Sequence, residues 1–356
     1  MKKLNNRLKQ FLMDGTVLPA HPLCLDENRQ FDEENQRLLT NYYIESGAGG
    51  IAVGVHSTQF EIRLPEHNLY EKVLKVSADV VKEANLDRPF IKIAGICGPV
   101  EQAVAEAKLA VEYGYDMGLL SMGGLQDLTE AQILDRTRAV AAVIPVFGFY
   151  LQPSVGGRIF TYEFWAEFVN IENVEAIKCA SFNRYQTLDV VRAIANSPRK
   201  DVIALYTGND DNIVSDLLSI YRFNVNGKEV EVQFRGGLLG HWAVWTSKAV
   251  ELLAKVKDFK SNPTEEKWVD LQVLSNQTTD VNAVLFDVAH GFHGCIPGIH
   301  EVLRRQGLMK GIWCLNPNEV LSAGQYEELT RIYQDYPLLN DDAFVNDFLQ
   351  RHKVIA

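Results

Sequence analysis

The chain has 356 residues, 47% hydrophobic and 23% charged, with a formal net charge of −11 at pH 7. That length allows two domains or one α/β barrel with additions, and it suffices to bury a large core. The acidic balance argues against a nucleic-acid partner or an anionic membrane surface, both of which need a basic patch, and no apolar run approaches the roughly 20 residues of a membrane span.

In chain order, the N-terminal "MKKLNNRLKQFLMDG" is basic but has no apolar core of signal-peptide length, so no export signal is expected. Short apolar or β-branched runs then alternate with helix-length stretches. The candidate strands are 15–23, 50–57, 90–98, 117–123, 145–152, 174–181, 201–209 and 234–242. Most read as continuous apolar runs, as parallel strands covered on both faces do. The spacing predicts helices between them, over 32–47, 65–84, 99–114, 129–143, 161–170, 185–197 and 211–223. Acidic starts, prolines in first turns and terminal glycines mark several of these. The run 224–234 has Asn226-Gly227 at its turn and reads as a hairpin inserted before the eighth strand. Past residue 260 the chain reads as helical, over 301–308, 323–336 and 341–352.

Eight strands alternating with helices predict a (β/α)8 TIM barrel, residues 1–260, followed by a C-terminal helical region, residues 261–356. The first strand–helix junction has no glycine-rich dinucleotide fingerprint. The five cysteines at 24, 97, 179, 295 and 314 are scattered without a CxxC, which fits a reducing cytoplasm.

Lys178 stands in the middle of the apolar run "VEAIKCAS". A lysine is almost never fully buried without a partner, and desolvation penalises its charged form. Inside a barrel mouth a neutral amine would attack a carbonyl carbon and form a Schiff base, whose iminium is an electron sink. Near a strand end the same residue can instead be a snorkelling surface lysine. Tyr150, near the end of the preceding strand, is the candidate proton shuttle, with a packed core tyrosine as the alternative.

The segments "GIAVGVHSTQF", "FGFYLQPSVGGR" and "VEAIKCASF", in that order, resemble the dihydrodipicolinate synthase / N-acetylneuraminate lyase family of class I Schiff-base aldolases. That family carries Tyr-x-x-Pro after strand five and I-K-x-A-S/T on strand six, and the tyrosine–lysine spacing in its typical members equals 178 − 150 = 28 here. "YTGNDD" (206–211) is similar to the family's segment after strand seven, and the likeness covers roughly residues 12–310. The resemblance implies a (β/α)8 barrel, usually a homotetramer. It implies catalytic Lys178 and Tyr150, no cofactor beyond the covalent lysine Schiff base, and a 2-oxo acid such as pyruvate as substrate, with an aldehyde as possible second partner. A homo-oligomer, tetramer or dimer, is expected.

The departures are specific. The family's G-T-T-G-E segment reads "GVHSTQF" here, so Ser57 and Thr58 keep hydroxyls for a substrate carboxylate. Either Val55 or His56 takes the first threonine position. His56 would be an acid/base group, a substrate contact or a structural histidine. Residue 155 is valine where the dihydrodipicolinate-forming members place an arginine; Arg158 would replace it if the loop bends back. Gly237, with Gly236 and Gly240, would allow close approach at the rim of strand eight, where His241 and Trp242 either line the site or pack. His21 at the end of strand one is equally ambiguous. His290, His293 and Cys295 in "HGFHGC" have no evident fourth ligand, so no metal is expected. Within this chemistry the alternatives are dehydration of a sugar-derived 2-oxo-3-deoxy acid and a non-catalytic metabolite-binding role.

Overall fold

The computed structural model describes residues 1–353. Nine strands appear in chain order: β1 (Val17–Pro19), β2 (Gly50–Val53), β3 (Ile91–Ile96), β4 (Met117–Leu120), β5 (Val146–Leu151), β6 (Val174–Ala180), β7 (Ala204–Thr207), β8 (Ile220–Val225) and β9 (Lys228–Leu239). The fold class is the (β/α)8 barrel, with C-terminal helices, as the alternation predicts. Every predicted strand has an observed counterpart, each shorter than its apolar run except the last.

The chain divides into two compact units, residues 1–16 with 89–238 and residues 17–88 with 239–356. In the first unit, β3, β4, β5, β6, β7 and β9 pair in parallel in that order. All residues of β5 and β6 are buried, as strands covered by helices on one face and by a barrel interior on the other must be. The helix Glu130–Ala141 starts on a capping box, Thr129 with Gln132. The helix Tyr162–Phe168 turns Phe164, Trp165 and Phe168 inward.

The hairpin appears as predicted. β8 pairs antiparallel with β9, and Asn226 and Gly227 take φ of 52° and 80°, the two left-handed positions of a type I′ turn. The hairpin is not separate from strand eight, because its second arm runs on unbroken as β9. Its first arm also consumes the end of the helix expected over 211–223, which here spans only Ile213–Leu218. The β-branched and aromatic run "IYRFNV" sits opposite a strand partner, and cross-strand pairing overrides the helical spacing.

In the second unit, β1 and β2 lie side by side, with a parallel bridge from Ala20 to Ala52. The helices Glu33–Glu45, Tyr70–Glu83, Thr246–Ser261, Glu265–Leu285, Cys295–Arg305, Gln325–Asp335 and Asp342–Lys353 belong to it. Tyr42 links three of its segments: its hydroxyl donates to Asp341 at 2.7 Å and accepts from the Thr246 amide at 2.8 Å. Among the described residues, no helix is long and apolar enough to cross a membrane.

Candidate active site

Lys178 points to the same side of the sheet as the residues paired with it, Phe149 on β5 and Tyr206 on β7. The residue is 9% exposed. Nζ lies 4.4 Å from the centre of the Phe149 ring. Gly208, two residues beyond Tyr206, makes room for it, since a Cβ there would lie 2.4 Å from Lys178 Cε. Any side chain at 208 would displace the lysine.

Three influences act on this amine. Burial disfavours the ammonium and is the largest; the Asp210 carboxylate favours it. The ring face of Phe149 also favours it, by about 0.5–2 kcal/mol. Burial wins and lowers the pKa to about 8. On the order of 300-fold more free amine is then present at pH 7 than for an ordinary lysine.

The loop that carries Gly208 and Asp210 is fastened below by a buried carboxylate. Asp216 accepts from Thr207 Oγ1 at 2.7 Å, Asn209 Nδ2 at 2.8 Å, Arg184 Nη1 at 2.8 Å and Asn212 Nδ2 at 2.9 Å. Burial pushes the Asp216 carboxyl up, while Arg184 and these donors pull it back. Four donors on one buried acid hold the loop in a single arrangement.

Tyr150 is not brought to Lys178, contrary to the sequence expectation. At the start of the pair Val146 faces Val174, but from Phe147 on the register has shifted, so that Phe149 faces Lys178 and Tyr150 faces Cys179. The extra residue on β6 is Glu175. A slip of one residue moves a side chain to the other face of the sheet. The Tyr150 ring therefore packs among the helices, 4.9 Å from Trp165 and 5.9 Å from Phe160. Its hydroxyl accepts from the Phe160 amide at 3.4 Å, and burial pushes the phenol up to about 12. This is the packed-tyrosine alternative.

Ser57 and Thr58 lie in a short turn after β2, His56–Thr58, and their hydroxyls are already committed. Ser57 donates to the Ala20 carbonyl at 2.8 Å and Thr58 to the His21 carbonyl at 2.7 Å. Thr58 Oγ1 also accepts from the Gly54 and Val55 amides at 3.0 and 3.2 Å. A hydroxyl has one proton to donate, so neither side chain can donate to a carboxylate without releasing a buried carbonyl. His56 is half-buried, its ring 5.9 Å from Phe60.

Arg158 does fold back, but onto the backbone. Its Nη1 donates to the Leu128 and Leu125 carbonyls at 2.7 and 3.3 Å, and its guanidinium lies over Phe160. It ties the loop after β5 to the loop after β4. Gly237 lies on β9 opposite Thr207, and its amide donates to the Thr16 carbonyl at 3.4 Å.

His21 is fully buried, with its ring nitrogens 2.8 Å from the Pro22 carbonyl and from Thr40 Oγ1, and burial lowers its pKa to about 4. Burial does the same to His241, and Trp242 is a core residue. His290 bonds Asp287 at 2.6 Å, and Asp287 also accepts from the Gly294 amide and Ser322.

The structure adds Phe149, Gly208, Asp210 and Asp216 to the surroundings of Lys178. Gly208 and Asp210 lie inside "YTGNDD", and Asp216 is the one acid in the apolar turn "IVSDLL"; both were available as signals.

No family model and no curated protein matches the sequence. Solved structures do match. Dihydrodipicolinate synthase from Oceanobacillus iheyensis aligns at a TM-score of 0.71 and 16% identity, covering 92% of this chain and 99% of that one. Dihydrodipicolinate synthase from Bacillus anthracis aligns at 0.71 and 20% identity, over 91% and 98%. N-acetylneuraminate lyase from Fusobacterium nucleatum, in complex with pyruvate, aligns at 0.71 and 16% identity, over 92% and 99%. The chain has their fold. The resemblance drawn from the sequence segments is thus met at the level of architecture across the length of those chains.

Proposed function

We propose that the protein is a class I lyase that forms a Schiff base between Lys178 and a 2-oxo acid, pyruvate or a longer one, for aldol cleavage or condensation. The observation that carries this reading is one buried amine with its pKa lowered to about 8, held against Phe149 in the space left by Gly208. The neutral amine adds to the keto carbon, the carbinolamine loses water, and the iminium stabilises the carbanion formed at the neighbouring carbon. Asp210 is the carboxylate whose charge already acts on the amine, and we assign it the proton transfers that Tyr150, on the opposite face, is not placed to make. The iminium supplies the electron sink, so the reading needs no cofactor. The fold shared with lyases of this type, one of them solved with pyruvate, supports it. A reducing cytoplasm and a homo-oligomer, tetramer or dimer, complete the proposal; sedimentation would read the assembly state.

The test is to incubate the protein with pyruvate and a panel of 2-oxo acids, reduce with borohydride and weigh it intact. The expected result is one adduct per chain that disappears in Lys178→Met. No adduct with any acid would end the proposal. Dehydration of a 2-oxo-3-deoxy sugar acid passes through the same iminium and would be recognised by its product.

A second reading has its own observation. The Ser57 and Thr58 hydroxyls are spent on carbonyls and Tyr150 is packed away, which favours a non-catalytic member that binds an acid at Lys178. A thermal shift with the same panel, without adduct or turnover, would select it.

A further inference from the structure

A second chemically distinctive group lies at the end of β3, independent of the lysine chemistry. Of the five cysteines, none in a disulfide, Cys24, Cys179, Cys295 and Cys314 are buried and Cys97 alone is partly exposed. Cys97 directly follows β3 and stands three residues before the helix Val100–Glu112, whose N-terminal end carries the positive pole of its dipole.

Beside it is an unusual arginine. Arg136, on the helix Glu130–Ala141, is 2% exposed. Its Nε donates to the carbonyl of Gly98, the residue after Cys97, at 2.7 Å. Its two terminal nitrogens, Nη1 and Nη2, are buried and have no hydrogen-bond partner among the described residues. A buried guanidinium with two idle donors is costly, on the order of 1–3 kcal/mol for each group left unsatisfied. Burial lowers its pKa to about 10, while Cys97 and Glu106, in their ionised forms, act the other way. Glu106 is the acidic group facing this corner from the helix Val100–Glu112. Its oxygens are taken up by the Cys97 amide at 3.0 Å and Gln102 Nε2 at 2.8 Å. The arginine's terminal donors thus have no partner among the described residues, and Cys97 is the first of the two groups whose charge acts on its guanidinium.

We propose that Cys97 is an oxidisable thiol whose sulfenate is held by the terminal nitrogens of Arg136. The oxidant is a hydroperoxide. The Cys97 thiolate attacks the outer oxygen, an S–O bond forms and the O–O bond breaks. The alcohol, or water from hydrogen peroxide, leaves with the peroxide proton; sulfur is oxidised by two electrons and the peroxide reduced by two. The sulfenate oxygen then accepts from Arg136, satisfying donors that the reduced protein leaves idle.

The test treats the full chain with one equivalent of hydrogen peroxide in the presence of a cyclic 1,3-dione that captures sulfenates, followed by intact mass and peptide mapping. One adduct at Cys97 is expected, and none in Cys97→Ser. Arg136→Met should cut the labelling at least tenfold, with Arg136→Lys restoring part of it. Labelling that falls on another cysteine, is absent altogether, or is unchanged in a folded Arg136→Met protein would overturn the proposal. Should the arginine variants not fold, the wild-type protein decides. One equivalent of peroxide should still give a single dione adduct, mapped to Cys97; an adduct on another cysteine, or none, sinks the assignment.

Discussion

The turn after β2 and the mouth of β6 and β7 are both buried, polar segments at strand ends, yet they spend their polar groups differently. In the turn, Ser57 and Thr58 give their only protons to carbonyls. At β6, Lys178 makes a ring contact and has a carboxylate within electrostatic reach, while the hydrogen bonding that shapes its loop is delegated to Asp216. A residue type suited to chemistry therefore says little until its protons are accounted for. Where the backbone has taken them, the side chain is scaffold; where a neighbour does the fastening, the side chain is left to react.

The largest effect expected is from Lys178→Met. It should abolish the borohydride-trapped adduct and at the same time raise stability at neutral pH. The sign follows from linkage. The folded pKa, about 8, lies below the unfolded value, so between about pH 8 and pH 10.5 the unfolded chain binds the extra proton and wild-type stability rises with pH. The variant's advantage should be up to about 3 kcal/mol below pH 8 and should vanish above about pH 10.5. Denaturant titrations at several pH values would show it; a pH-independent difference would mean the amine is already solvated.

Next is Gly208→Ala. Its Cβ would lie 2.4 Å from Lys178 Cε, and overpacking of this kind costs about 1–3 kcal/mol. Because the lysine is the displaced group, the rate of adduct formation should fall tenfold or more. An unchanged rate would show that the lysine does not use this space.

Thr58→Val should fall mainly on stability. It leaves a carbonyl and two amides without their partner, at about 1–3 kcal/mol, with trapping by pyruvate little changed at saturating acid. If the variant keeps its melting temperature and loses pyruvate, the turn is a binding element and the contrast drawn above fails.

The smallest effect is expected from Tyr150→Phe. The hydroxyl accepts one long bond, so its removal should cost no more than about 1 kcal/mol and leave trapping intact. A hundredfold loss would return the tyrosine to the chemistry and place the register shift in question.

The alternation of apolar runs and helical stretches made the fold class legible, and the lysine in "VEAIKCAS" stood out because a charge in a doubly covered strand demands a reason. The candidate partners were less legible. The case for Tyr150 rests on spacing, and spacing alone carries no record of an added residue in the neighbouring strand. The case for Ser57, Thr58 and Arg158 rests on residue type, which is silent about the carbonyls of Ala20, His21, Leu125 and Leu128 that occupy them. Gly208 is legible only as part of "YTGNDD"; that its missing side chain makes room for the lysine shows only once its neighbour is known.

Composition and periodicity by themselves determined the alternation of strands and helices, the barrel class and the buried lysine, because hydrophobic patterning is a local property written along the chain. Which side chains share a face with that lysine was decided only in three dimensions. Facing depends on register, register turns on one bulged residue between β5 and β6, and a single such residue reverses every side chain beyond it.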